Sequence, residues 1–415
     1  MRRVALLSSE PVRERMAGIG IRYLELARRL PRPDLEVVLL SPAEPAETPA
    51  VPGPVRRLVP GRLRELLGDC DAAVAQGQHA NDLVLECPDL PVAIDLYDPW
   101  LVENLHYVDT LGLDPWRNDH ATWVLQLSRG DLFLCSSAEQ RLYYLGFLTA
   151  LGRVNPERLR ADPDLGRLIV ELPFGLPEEL PPHRPLLPVR EGAARRVLFG
   201  GIYDWYDPLT LLRAMELLGD APWEVYVVRN PNAGDTPQAL LQETERYCRA
   251  RGWWGERVRP LDWIPAERRF DLLRDVVVLC APHRPSLETR LSLRTRFLDA
   301  FAAGCAVVAT QGGTVARLVA EHRAGWVVPP EDPVALAGAL REAFAGDATR
   351  RAAALELARE LSWERVLQPL VAFCRDPWRD ATRERFAFRP ATVAPPDALS
   401  FRLRRRLRRA LASES

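Results

Sequence analysis

The sequence predicts an α/β protein made of two consecutive domains, each built on a parallel sheet. Three observations carry this. The chain has 415 residues, more than a single hydrophobic core usually organises. Short apolar runs alternate with amphipathic stretches along its length, the pattern of repeated strand–helix–strand units. The pattern also breaks once, at the proline-rich stretch 173–188 (PFGLPEELPPHRPLLP), and then restarts, as an extended linker would make it do.

Taken in order, the first half opens with an apolar strand at Val4–Leu7, a loop, and the glycine turn Gly18-Ile19-Gly20. An amphipathic helix over Ile21–Leu30 and a strand at Val37–Leu40 complete a βαβ unit. Further strands are predicted at Ala72–Ala75, Val92–Leu96, Leu132–Cys135 and Leu168–Leu172. All are short and apolar, as expected where helices cover both faces of a sheet. The second half restarts at Val197–Gly201, with a helix near Leu209–Leu218 and strands at Val225–Val228, Val276–Cys280, Ala306–Ala309 and Trp326–Val328. Helices follow through Glu360 and from Trp363 to Cys374. The expected organisation is therefore 1–180, 181–360, closing helices over 361–390 and a tail over 391–415.

That tail carries Arg402, Arg404, Arg405, Arg406, Arg408 and Arg409, with Leu403, Leu407 and Leu411 recurring every four residues. It reads either as a solvated terminal helix or as a basic amphipathic helix that touches an anionic membrane surface.

Composition excludes several classes. Hydrophobic residues make up 47% and charged residues 27%, the balance of an ordinary globular protein. The formal net charge of −1 gives no general attraction to nucleic acid. The chain has no lysine, so all 55 basic residues are arginine; any phosphate clamp must use arginine, backbone N–H or hydroxyl groups. Seven cysteines, Cys70, Cys87, Cys135, Cys248, Cys280, Cys305 and Cys374, are odd in number and form no C-x-x-C pair. That argues for reduced thiols rather than a disulfide framework or zinc site. Met1-Arg2-Arg3 leads into only about five apolar residues, too few for a signal-peptide core, and no window approaches the ~20 apolar residues of a membrane span. The expectation is a cytoplasmic protein, peripheral to the inner membrane face if the tail docks there.

Several landmarks, in order, resemble glycosyltransferase family 4. They are Ala17-Gly18-Ile19-Gly20 with Leu24-Glu25-Leu26-Ala27, Asp95-Leu96-Tyr97-Asp98, Cys135-Ser136-Ser137, Leu172-Pro173-Phe174-Gly175 and Phe199-Gly200-Gly201. The most telling is Phe297-Leu298-Asp299-Ala300-Phe301-Ala302-Ala303-Gly304 running into Cys305–Thr310 and Gly312-Gly313. The resemblance covers nearly the whole chain. It implies the GT-B architecture: two Rossmann-like domains facing a central cleft, with C-terminal helices returning toward the N-terminal domain. It also implies sugar transfer from a nucleotide-diphosphate donor, such as a UDP- or GDP-sugar, with retention at the anomeric carbon. The acceptor would be a surface polysaccharide, a glycolipid or a small molecule. No cofactor and no metal are implied.

Site residues follow from both sources. Gly18 and Gly20 lie between a strand and a helix N-terminus, where backbone N–H groups attract phosphate; a plain turn has the same spelling. Gly312 and Gly313 offer a second backbone nest. By resemblance, Asp299 grips the ribose hydroxyls, while a helix-terminal acid is the plainer reading. Two positions depart from the family. Where it usually has an acid eight residues before Asp299 stands Leu291, and Glu288 is the nearest substitute for contacting the donor sugar. Where it usually has an Arg/Lys pair stand Gly201 and Tyr206. Substitutes for that pair are Arg290, Arg294 and Arg296, with Thr295 beside them, or Arg229, any of which answers the charge of a departing diphosphate. In the first half, Asp95, Asp98, Glu103 and His106 follow a strand end and are candidates for hydroxyl binding or acid/base work. The competing readings are a binding or scaffold protein with a decayed donor site, and a sugar-nucleotide epimerase.

Overall fold

In the computed structural model of the chain, residues 1–188, 195–219, 222–229 and 238–387 are described. They divide into two compact units, one of Met1–Phe174 with the chain from Glu364 onward, the other of Gly175–Trp363. The polypeptide thus leaves the first unit once and returns to it.

The first unit holds seven parallel strands in the order β3-β2-β1-β4-β5-β6-β7. They are β1 (Arg2–Leu7), β2 (Leu35–Ser41), β3 (Val55–Arg57), β4 (Ala72–Ala75), β5 (Val92–Asp95), β6 (Leu132–Cys135) and β7 (Ile169–Glu171). The second unit holds six, in the order β10-β9-β8-β11-β12-β13. These are β8 (Arg195–Gly200), β9 (Trp223–Val228), β10 (Val258–Leu261), β11 (Val278–Cys280), β12 (Ala306–Thr310) and β13 (Trp326–Val328). Every pairing between strands is parallel. The central strands are buried throughout, which is why they read as unbroken apolar runs rather than alternating ones.

Two strands escape the sequence reading, β3 and β10. Both sit at sheet edges, where one side has no strand neighbour and half-buried residues suffice. Strand β10 even accommodates Pro260, which an edge tolerates and a centre does not.

Nine helices matter here: α1 (Gly18–Arg29), α2 (Leu113–Arg129), α3 (Ala138–Ala150), α4 (Pro208–Glu216), α5 (Leu287–Leu291), α6 (Thr295–Ala303), α7 (Thr314–His322), α8 (Pro333–Ala345) and α9 (Ala348–Glu360). Side-chain caps start several of them: Ser137 on α3, Asp207 on α4, Ser286 on α5, Asp332 on α8 and Asp347 on α9. Each accepts a hydrogen bond from an otherwise orphaned first-turn N–H. Helix α6 ends on Gly304 in the left-handed region, φ 64°, where glycine carries no Cβ penalty.

In each sheet the strand order reverses direction once, between β1 and β4 and between β8 and β11. Loops leaving the carboxyl ends of strands at such a switch point form the ligand crevice of open α/β sheets. After Trp363 the chain docks on the first unit through buried ion pairs. Arg153 meets Asp380 at 2.8 Å, and Arg383 meets Asp131 at 2.8 Å. All seven cysteines are free thiols. No helix among the described residues is long and apolar enough to cross a membrane. The arginine-rich stretch Arg402–Arg409 lies outside the described residues.

Candidate active site

In the second unit the switch-point loops close on one another. The loop after β8 carries Tyr203, Trp205 and Tyr206, and the one after β11 carries His283 and α5. Backbone bonds stitch them together: Asp207 N–H donates to Pro282 at 2.8 Å and Arg284 N–H to Trp205 at 3.2 Å. The Tyr206 and His283 rings lie 4.7 Å apart, and Tyr203 stacks on Trp205 at 5.1 Å with only 4° between planes. Packed aromatics of this kind hold a loop in one shape.

The arginines then arrive from the start of α6. Arg294 and Arg296 place their guanidinium carbons 5.2 and 5.0 Å from the centre of the Tyr206 ring. Arg296 Nη1 donates to the carbonyls of Phe199 (2.9 Å) and Gly201 (3.0 Å). A Cβ on Gly200, which has φ 86°, would come within 2.6 Å of that guanidinium, so the glycine is what lets the arginine lie over the turn. Positive charge therefore stands beside Gly201 and Tyr206, brought there by residues some ninety positions away. Arg229, the other substitute, is exposed and pairs with Asp262 at 3.6 Å.

Glu288 is buried, and its Oε2 accepts from Arg294 Nη2 at 2.7 Å. Its other oxygen meets no partner among the described residues. Asp299 is also buried on α6 and accepts from Arg269 Nε at 3.1 Å. Thr295 opens α6, half-buried, while Arg290 is exposed.

Gly312 and Gly313 precede α7 with φ of 94° and 131°. A Cβ on Gly313 would lie 2.2 Å from the Thr289 carbonyl, so α5 crosses the turn at backbone contact. Around that turn is a small hollow lined by His283, Thr289, Arg294, Thr310, Gly312 and Gly313 among others. The helix dipole at the start of α7 favours an anion there.

His283 was not singled out from sequence, where it is one of six scattered histidines. Its backbone N–H donates to Thr310 Oγ1 at 3.3 Å, the residue is buried, and Nε2 meets no partner among the described residues. Burial, with Arg294 and Arg296 close by, holds its pKa well below the ordinary 6.5, so the imidazole is neutral.

The first unit is arranged differently. Asp95 is fully buried and accepts from Arg22 Nε at 2.7 Å and Nη2 at 3.1 Å. Arg22 also donates to the carbonyls of Leu172 and Pro173 and lies over the Tyr97 ring. Asp95 is thereby a structural acid, not a sugar ligand. Gly20 N–H donates to the Glu10 carboxylate at 3.1 Å, and a Cβ on Gly20 would meet Met16 at 2.8 Å. The N-terminus of α1 thus already holds an internal carboxyl. Burial raises the Glu10 pKa to about 7, with Asp98 adding to the rise. Asp98 is half-buried, Gly18 faces open space, and His106 is exposed on the helical turns after Pro99. Among the described residues no cluster of His, Cys, Asp and Glu has the makings of a metal site.

Comparison with known proteins agrees with this architecture. Residues 194–345 match the family "Glycosyl transferases group 1". The D-inositol 3-phosphate glycosyltransferase of a Nocardioides species is 31% identical over 219 residues, covering 49% of this chain and 47% of that protein. The match therefore spans about half the length of that curated relative. Sucrose-phosphate synthase from Thermosynechococcus elongatus superposes with a TM-score of 0.63 at 16% identity, over 90% of this chain and 98% of that one. Anabaena HepE, solved in complex with UDP-glucose, gives a TM-score of 0.60 at 14% identity over the same shares. The chain has the GT-B fold, and residues 194–345 of its second unit match the group 1 glycosyl transferases.

Proposed function

We propose that this protein is a glycosyltransferase that takes a sugar from a nucleotide-diphosphate donor held in its second unit. The observation that carries this reading is the convergence of Arg294 and Arg296 on the Gly201–Tyr206 loop, beside the N-terminus of α7. Glycosyl transfer breaks the bond between the anomeric carbon and the diphosphate oxygen as an acceptor hydroxyl attacks. Negative charge then grows on the leaving phosphoryl oxygens. Preorganised guanidinium and backbone N–H donors stabilise that charge more than they stabilise the ground state.

In this reading Arg296 and Arg294 replace the Arg/Lys pair absent at Gly201 and Tyr206, and Glu288 holds Arg294 in place. Gly312 and Gly313 shape the anion cradle, Asp299 faces the ribose, and Arg290 and Thr295 rim the site. HepE in complex with UDP-glucose supports a UDP-sugar as the first donor to try. The acceptor is a glycan, lipid-linked or small-molecule hydroxyl, with Asp98 and His106 of the first unit as the candidate acid/base groups and retention at the anomeric carbon. Contact of Arg402–Arg409 with an anionic membrane would suit a lipid-linked acceptor.

The test is a thermal-shift screen against UDP, GDP, ADP, CDP and dTDP. A ligand bound only by the native state raises the melting temperature by mass action. Stabilisation by one diphosphate, diminished in Arg296→Ala and Asp299→Ala, is the expected result. No shift with any of the five would favour the decayed-site scaffold. Release of an altered sugar nucleotide without acceptor would favour the epimerase.

A further inference from the structure

The α7 cradle contains one polar group that neither the fold nor the ion pairs employ. His283 is 5% exposed and lines the hollow with Arg294, Thr310, Gly312 and Gly313. Its Nε2 is shut from solvent and has no hydrogen-bond partner among the described residues. A buried nitrogen without a partner bears its full desolvation cost. Phenylalanine would fill the same space between Tyr206 and Phe297 without that cost. The arrangement makes sense if a bound molecule supplies the missing partner.

We propose that His283 contacts the donor directly, its imidazole hydrogen-bonding the distal phosphoryl group of a nucleoside diphosphate sugar seated at the N-terminus of α7. This rests on the transferase reading above and adds a residue to it. The surrounding chemistry selects that group. Arg294 and the α7 N–H groups make the hollow attractive to an anion. Flanked by two arginines, His283 serves as a neutral N–H donor and not as a third cation. Helix α7 is nine residues long, enough for its aligned peptides to act on the same oxygen.

The experiment is isothermal titration of the wild type, His283→Phe and His283→Gln with UDP, GDP, ADP, CDP and dTDP and with the matching monophosphates. The diphosphate that binds the wild type best should bind His283→Phe about tenfold more weakly. Its monophosphate should bind both alike, since only the distal phosphoryl group is addressed. His283→Gln, which keeps an N–H donor, should recover part of the loss. An unchanged ratio of diphosphate to monophosphate affinity in His283→Phe would overturn the proposal while leaving the transferase reading intact. Should that variant not fold, an unchanged ratio in His283→Gln together with His283→Leu would do the same. Failure of the wild type to bind any diphosphate would remove the reading itself and the proposal with it.

Discussion

Both units bury an arginine against a carboxylate, and the two pairs are built in opposite ways. Around Arg22 every acceptor is used: both Asp95 oxygens and the carbonyls of Leu172 and Pro173, with the Tyr97 ring beneath. Around Arg294 the bonding is partial. Among the described residues one Glu288 oxygen is held, the other has no partner, and the neighbouring His283 Nε2 has none either. A saturated buried network locks a fold together, whereas an incompletely satisfied one leaves capacity for a ligand. The arginine count would treat the two alike; the hydrogen-bond inventory separates them.

The largest expected effect tests the saturated side. Arg22→Ala leaves the Asp95 charge buried without its partner and strands two carbonyls, so urea denaturation should show a loss of about 3–5 kcal/mol. A loss below about 1 kcal/mol would mean that the network is not what holds α1, β5 and the end of β7 together.

Next in size is the partial network. Removing both charges at once, as Glu288→Leu with Arg294→Met, avoids an orphaned ion and should cost less than about 2 kcal/mol of stability. The same variant should lose most of its nucleoside diphosphate affinity in a titration. Large destabilisation with binding intact would reverse the assignment of roles.

A third effect is pH-dependent and belongs to the first unit. The Glu10 carboxyl titrates near 7 in the folded chain against an ordinary value of 4.5. Between those values the folded state binds a proton that the unfolded state has released, so stability falls as pH rises from 4.5 to 7 and is level outside that window. Glu10→Gln should remove a change of about 3 kcal/mol across that window. Parallel stability–pH curves for wild type and variant would show that the carboxyl at Gly20 is not perturbed.

The smallest effect serves as a control. Arg375 and Asp34 form a pair with side chains 49% and 56% exposed. Asp34→Asn should leave the melting temperature unchanged within error, because solvent screens such pairs.

How much of this was legible beforehand depends on the range of the interaction involved. Central strands such as Ala72–Ala75 and Leu132–Cys135 announce themselves because burial on both faces demands apolar residues in succession. The edge strands β3 and β10 do not, since one side of each has no strand neighbour and β10 carries Pro260. Among site residues, the glycine turns and the acid on α6 could be named from local spelling. His283 could not, because nothing near Pro282 and Arg284 distinguishes a buried imidazole from a surface one. Glu10 was equally silent, because the Gly20 N–H it accepts lies ten residues away across a loop with no periodic pattern.

The sequence by itself determined the α/β class, the two-part organisation, the glycine turns and the absence of lysine from any anion site. These are consequences of composition, period and φ/ψ preference, all of which act over a few residues. Only the tertiary structure decided that Asp95 serves Arg22, that Glu288 serves Arg294, and that Arg296 reaches back to Gly201. Each of those is a choice between several equally charged partners, and electrostatics in a low-dielectric interior is settled by distance and desolvation, which exist only once the chain has folded.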